Sequence, residues 1–371
     1  PSSYTALPKF VRVLGSSYFF MPSITAIKLL ALGQLSNQSC VARESIPPDE
    51  KLHIDRMLEA MRRKSLSDFP KGLMRRATHA KMHGCLEARF RVEPDVAQKL
   101  APRLPQGAAA RLGLFGAPRE YSAWVRFSNE RPDQPDARPD LRAVAIKLLD
   151  VQGVKLLDGE EDSTEHDFIM ISLEAFVAKN AAEFAEMVEA IVDKRWRLVP
   201  FLLKHPSTLK QLLRVQLSGN ATLLERSYFS AVPYLLGDVA VKYSLRPAHQ
   251  PAATTAVLDD PNYLREDLTH QLARAPFVFD FLVQVQGDPK LMPIEDATVV
   301  WDQAQAPFVK VASVELLQQN FDTPERNTRG ENLSFNPWRC LPTHRPLGGL
   351  NRARREIYKA LARFRHDRNA V

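Results

Sequence analysis

Arg76-Ala77-Thr78-His79-Ala80-Lys81, with His83-Gly84 just beyond it, leads into the alternating run Cys85–Val92 and marks the entrance to a β-strand. Comparable runs follow at Ser122–Ser128, Leu141–Leu149 and Asp167–Ser172, separated by turns rich in Pro, Asp and Gly. Short strands in this rhythm predict an antiparallel β-barrel or curled sheet. A lone histidine at a strand entrance is more often a structural hydrogen-bonding group than a catalyst, but this one has chemical company. In Val125-Arg126-Phe127-Ser128-Asn129 the two-residue period puts Arg126 and Ser128 on one face, from which both can reach one cavity.

Working outward, helical periodicity appears at Ala181–Val192 and Thr208–Leu217. A second block of strands is predicted at Tyr243–Pro247, Phe277–Gln286, Thr298–Trp301 and Val309–Leu317. Asn320–Leu350 reads as a long irregular connection lying over other structure, and Asn351–Arg365 as a closing helix. Upstream, residues 1–70 read as an arm with a helix over Pro48–Lys64 and apolar segments Val11–Met21 and Ile24–Leu32. These segments suit packing or a peripheral contact with lipid. The expected organisation is thus this arm followed by a core over 71–371, of α+β class, with helices around an antiparallel barrel.

The chain has 371 residues, 45% of them hydrophobic and 25% charged, the balance of an ordinary globular protein. No run is long and apolar enough to span a bilayer. The formal charge of +7 suits anionic ligands or surfaces. No zinc-finger spacing or aromatic RNA-binding signature accompanies the basic clusters, so nucleic acid is not expected as a partner. Cys40, Cys85 and Cys340 are odd in number and widely spaced, which predicts no disulfide framework and favours a reducing, cytoplasmic setting. Glu165 and Asp167 form no glycosidase pair, and His166 lacks partners at metal-ligand spacing.

In Asn351-Arg-Ala-Arg-Arg-Glu-Ile-Tyr358, Arg354 and Tyr358 share a helix face. A guanidinium so placed can hold a phenolate ionised, a form able to ligate ferric haem. The spacing alone fits equally a snorkelling arginine beside a half-buried aromatic.

Taken together, Arg76-x-x-His79-Ala80-Lys81, Val125-Arg126-Phe127-Ser128, Arg142-x-x-Ala145-Ile146-Lys147, Asp167-Phe168-Ile169, Phe335-x-Pro337 and Arg354-x-x-x-Tyr358, with Arg363 and Arg365 beyond, resemble the catalase superfamily in order and spacing over residues 71–366. Ending soon after the last motif, the chain is similar to the short catalase-related haem proteins, including allene oxide synthases and hydroperoxide lyases, that lack the C-terminal helical domain. The resemblance implies haem b, with Tyr358 as the proximal iron ligand, Arg354 as its charge partner and His79 as the distal acid/base. It implies that Arg76, Arg126 and Arg365 meet the haem propionates, as carboxylates in an apolar cavity require. Ser128 would hydrogen-bond the distal histidine, and Phe176 would pack near the distal haem face.

Two departures bear on activity. Thr78 stands where full-length catalases carry valine, and Asp162-Ser163 stand where they carry the distal asparagine. An ionised Asp162 accepts hydrogen bonds but donates none. Both changes disfavour dismutation of hydrogen peroxide. The expected activity is therefore on an organic hydroperoxide, of fatty-acid type, by isomerisation, dehydration, lyase cleavage or oxygen transfer. A small catalase or peroxidase, and a haem-binding protein without turnover, are the alternatives. The oligomeric state is left open, a homo-oligomer included.

Overall fold

A computed structural model describes residues 42–105, 111–193 and 195–370. Cys40 and the two apolar segments of the N-terminal arm lie outside them, as does the lipid contact expected there. Helix α1 (Glu50–Asp68) precedes strands β1 (Lys81–Val92), β2 (Glu120–Asn129), β3 (Arg142–Leu148) and β4 (His166–Ile171). Helices α2 (Ala181–Asp193), α3 (Leu198–Lys204) and α4 (Pro206–Gln216) follow, then β5 (Tyr228–Phe229), β6 (Tyr234–Leu236) and β7 (Val239–Pro247). Helix α5 (Tyr263–Arg274), β8 (Phe277–Val285), β9 (Val309–Leu316), α6 (Pro324–Asn332) and α7 (Gly349–Asn369) complete the order.

The strands run β5-β4-β3-β2-β1-β9-β8-β7-β6, and β5 also pairs with β7. That pairing closes eight antiparallel strands into a barrel and leaves β6 attached to β7, removing the open edges that a sheet must otherwise protect. Alternation decides which side chains fill it. Phe90 of β1 stacks on Phe168 of β4 at 6.1 Å and meets Phe281 of β8 edge-on at 5.1 Å, contacts between strands that are not neighbours. Each such pair adds about 0.5–1.5 kcal/mol beyond area burial. At Gly84 a Cβ would stand 2.7 Å from the Phe321 ring, so only glycine lets β1 approach that aromatic, next to the bulge at Met82/Gly84.

The other strand faces point outward and are covered locally by helices. Ile54, Met57 and Met61 of α1, Ala181, Ala185 and Val188 of α2, and Ala353 and Ile357 of α7 form a second core. Helix α1 is therefore packed into the same compact unit as the barrel, joined to α2 by Arg56–Glu189 and Arg63–Asp193 ion pairs.

Several expected elements need correction. Thr298–Trp301 is not a strand: the Asp296 carboxylate accepts from both the N–H and the hydroxyl of Thr298, and the Gln284 amide donates to the Trp301 carbonyl. Asn320–Leu350 is not irregular throughout, for it contains α6, capped by the Thr323 hydroxyl accepting from Arg326 N–H, with Pro324 opening the helix. This helix is polar along its length, so no apolar stripe betrays it. The two-residue β5 and three-residue β6 were too short to read.

The barrel also buries histidines. His344 accepts a hydrogen bond from Leu114 N–H at Nε2 (2.9 Å), its Nδ1 lies 3.1 Å from the Tyr243 hydroxyl, and burial pushes its pKa down to about 3. His83 is fully buried and likewise pushed to about 3. In the unfolded chain both titrate near 6.5, so below that pH the unfolded state takes up protons that the fold refuses until about pH 3. Stability is then complete above about pH 6.5 and falls as the pH drops toward 3. The urea midpoint should be lower at pH 5 than at pH 7.5, and His344→Gln should shrink that difference. Equal midpoints for the wild-type protein at the two pH values would refute the assignment.

Candidate functional site

The lead-in to β1, the outer face of β2 and the end of α7 bring three arginines together. Arg126, on β2, is 2% exposed and donates to the His79 carbonyl at 3.1 Å. Arg76 donates to the carbonyls of Gly330 (3.1 Å) and Leu333, and Arg365 of α7 reaches the same Leu333 carbonyl at 3.2 Å. Glu331 is the carboxylate paired with the group, 3.4 Å from Arg76. Burial, then the charges of Arg126 and Arg365, hold Arg76 well below its ordinary pKa; burial and Arg126 bring Arg365 down to about 10. The Nε atoms of Arg126 and Arg365 are buried without a hydrogen-bond partner. Clustered, partly unsatisfied guanidiniums call for an anion of more than one carboxylate.

His79 has φ of 51°, in the left-handed region unusual for a side chain of this size. Two bonds hold it there: its N–H donates to Glu130 Oε2 at 2.9 Å, and its carbonyl accepts from Arg126. Its Nδ1 is buried and unpartnered, while Nε2 lies 3.7 Å from Glu130. Burial first, then Arg126 and Arg354, push its pKa down to about 4 against the pull of Asp140, so the ring is neutral at pH 7. The backbone of α7 therefore carries Arg354 within electrostatic reach of the imidazole. Thr78 is half-buried beside it.

On α7, Arg354 is buried, donates to Asn351 Oδ1 at 3.3 Å and stands 5.9 Å over the Tyr358 ring and 5.3 Å over the Phe176 ring. The expected spacing is present, but the contact to Tyr358 is with the ring face rather than a hydrogen bond to the phenol. Tyr358 is half-buried against the α1–α2–α7 core. Phe176 meets Phe184 edge-on at 5.1 Å, lies 5.3 Å from the Arg354 guanidinium and is buried in the barrel core cluster.

Two other expectations change. Ser128 is buried on β2 on the same face as Arg126, yet no hydrogen bond joins it to His79 among the described residues, and His79 Nδ1 is left open. Asp162 is exposed in the β3–β4 connection. That connection is folded on itself by Lys155, whose ammonium donates to the carbonyls of Val151, Gly153 and Ser163, and it leans on α7 through Asp158–Arg355. The β2–β3–β4 face beside Arg126 is built from small or apolar groups, including Ala143, Ala145 and Ile169, and Ala145 stays half-exposed on a central strand.

Sequence reading missed three groups. Glu130 clamps the His79 backbone, and Glu331 balances the arginines. Tyr234 is 2% exposed, its acidity suppressed by burial against the opposing pull of the nearby Arg354. Distant acids and an aromatic on a three-residue strand leave no pattern to detect.

The residues present fit a haem: the arginines and the orphaned Nε atoms of Arg126 and Arg365 suit propionates, Ala143 and Ala145 put only small side chains on the face beside Arg126, and the α7 tyrosine offers an oxygen ligand. No protein-family model matches the chain. In sequence it is 27% identical over 262 residues to a catalase-related peroxidase of Mycolicibacterium paratuberculosis, covering 66% of this chain and 77% of that protein. In structure it is similar to a fungal catalase (TM-score 0.61, 16% identity, 81% of this chain), a bacterial catalase (0.60, 17%, 89%) and catalase A of Saccharomyces cerevisiae (0.61, 16%, 88%). It spans 61%, 64% and 67% of those three catalases. The chain thus has the catalase fold over part of the length of those enzymes, and its sequence is similar to that of a catalase-related peroxidase.

Proposed function

We propose that the chain is a haem-dependent, peroxidase-type enzyme that consumes hydroperoxides, with fatty-acid hydroperoxides preferred over hydrogen peroxide. The observation that carries the haem reading is the buried Arg76–Arg126–Arg365 cluster, short of anionic partners and adjacent to a neutral His79. The name of the mycobacterial relative supports the peroxidase reading.

In this reading Arg76, Arg126 and Arg365 would hold the haem propionates. Tyr358 supplies the oxygen ligand, and Arg354 supplies positive charge beside it. A bound haem would supply the redox chemistry that splits a peroxide O–O bond, giving electrons to the bond and regaining them from a reducing substrate. Neutral His79 takes the peroxide's proton at the open Nδ1 and returns it to the departing oxygen. Because its pKa is about 4, the base is available at neutral pH and the peroxide reaction should fail as the pH falls through 4.

The first test is haem content of the purified protein, followed by stopped-flow comparison of peroxides. With Thr78 beside His79 and Asp162 too exposed to replace a distal amide, kcat/KM for a long-chain fatty-acid hydroperoxide should exceed that for hydrogen peroxide by at least about tenfold, or roughly 1.4 kcal/mol. Thr78→Val should shift turnover toward oxygen evolution. Rapid oxygen evolution by the wild-type protein without lipid hydroperoxide turnover would replace this reading with a small catalase; inertness toward all peroxides would leave a haem-binding protein.

A further inference from the structure

We propose that the open cleft between α6 and the outer barrel face at Trp124 is the docking site of the reducing substrate, a neutral phenol or hydroquinone. This rests on the peroxidase reading and names the co-substrate that it leaves unspecified. The cleft holds about 950 Å³ and is lined by Trp124, Lys147, Glu165, Arg326, Arg329 and Leu333, among others. None of His79, Ser128, Arg354 or Tyr358 lines it, so it is distinct from the space assigned to peroxide.

Two connections tie it to the haem anchor. Trp124 and Arg126 are two residues apart on β2 and share its outward face. Leu333 lines the cleft while its carbonyl accepts from both Arg76 and Arg365. The cleft and the arginines assigned to the propionates therefore share Leu333 as a wall residue.

The lining also indicates what docks there. Lys147, Arg326 and Arg329 face Glu87, Glu165 and Glu325, a balanced set that favours neither a multivalent anion nor a cation. Lys147 is held by Glu165 and Asp167, and Arg326 by Glu87 at 2.6 Å. Arg329 is exposed, lies 4.8 Å over the Trp124 ring and has no ion-pair partner among the described residues. It is free to turn from the indole to a ligand oxygen while the ligand ring takes its place against Trp124. Two guanidiniums, each 4.8 Å from the indole, disfavour a positive charge on Trp124. Trp124 is accordingly a platform for the donor rather than an oxidised relay.

In the overall reaction two phenols each lose one electron and their hydroxyl proton and become phenoxyl radicals. The hydroperoxide O–O bond breaks, and the two electrons and two protons convert it to an alcohol and water. A hydrogen bond from Arg329 stabilises the phenolic oxygen as its proton leaves to the open cleft.

The probe is hydroquinone, titrated by NMR into the full chain prepared with and without haem. Saturable binding is expected in both forms, weakened at least tenfold by Arg329→Ala, an exposed change on a helix surface, and by Trp124→Leu. In the haem-loaded protein both variants should raise KM for hydroquinone by a similar factor while absorbance reports full haem occupancy. No binding by the wild-type chain at up to about 10 mM, a very weak affinity for any site, overturns the assignment, as does unchanged binding in both variants. Hydroquinone binding by a chain that takes up no haem keeps the docking site and overturns the peroxidase reading instead.

Discussion

Tyr358→Phe is expected to yield a folded protein that retains less than about a tenth of the wild-type haem, because it removes the anionic oxygen ligand assigned to the iron. The ring itself stays, and with it the half-buried packing against the α1–α2–α7 core. Unfolding free energy should move by no more than about 1 kcal/mol, since neither a cavity nor a buried unpaired charge is created. Haem per chain and the absorption spectrum make the measurement, with a urea titration as the control for folding. Full occupancy with an unchanged spectrum would sink the proximal assignment. Arg354→Ala should be milder: it keeps the phenol oxygen and removes only the cation beside it, so haem occupancy should fall between that of the wild-type protein and that of Tyr358→Phe.

The largest stability effect should come from Asp167→Ala. Asp167 is 1% exposed on β4; Oδ1 accepts from Lys147 Nζ at 2.9 Å, and Oδ2 accepts from Asn336 N–H at 2.9 Å and from Arg339. Removing it strips one partner from two buried cations and releases the backbone of the Phe335–Pro337 segment. Breaking a buried pair this way costs about 3–5 kcal/mol. The lower end is expected, because Glu165 still faces Lys147 and Glu160 still pairs with Arg339. Against a total stability of about 5–15 kcal/mol, that loss is large. Guanidinium denaturation measures it, and a change below about 1 kcal/mol would show that the network adds little. Asp167→Asn should fall between the two, since an amide keeps an acceptor for Asn336 N–H but loses the charge.

Much of the barrel was legible in the chain because its cause is local. Strict alternation at Val125–Asn129 and its neighbours follows from one face packing inward and the other outward, and the strands at 85–92, 122–128 and 141–149 lie within the observed ones to a residue or so. The same period placed Arg126 and Ser128 on one face, and the helical period placed Arg354 and Tyr358 on one side of α7. Helix α6 and strand β6 escaped because a capped polar helix and a three-residue strand carry no periodic burial.

What belonged to the sequence by itself, then, was the rhythm of antiparallel strands and the set of arginines, histidine and tyrosine spaced along it. Tertiary structure alone decided that β5 pairs with β7 to close the barrel, and that Glu130 holds His79 with φ of 51°. It also decided that Asp162 lies exposed in a connection gathered around Lys155, and that Arg76, Arg126 and Arg365 share one short supply of negative charge. These depend on contacts between residues up to about 290 positions apart, such as Arg76 and Arg365 meeting at the Leu333 carbonyl. Periodicity reports only which face of an element is buried, whereas such meetings are set by how whole elements pack and by which buried charges find partners.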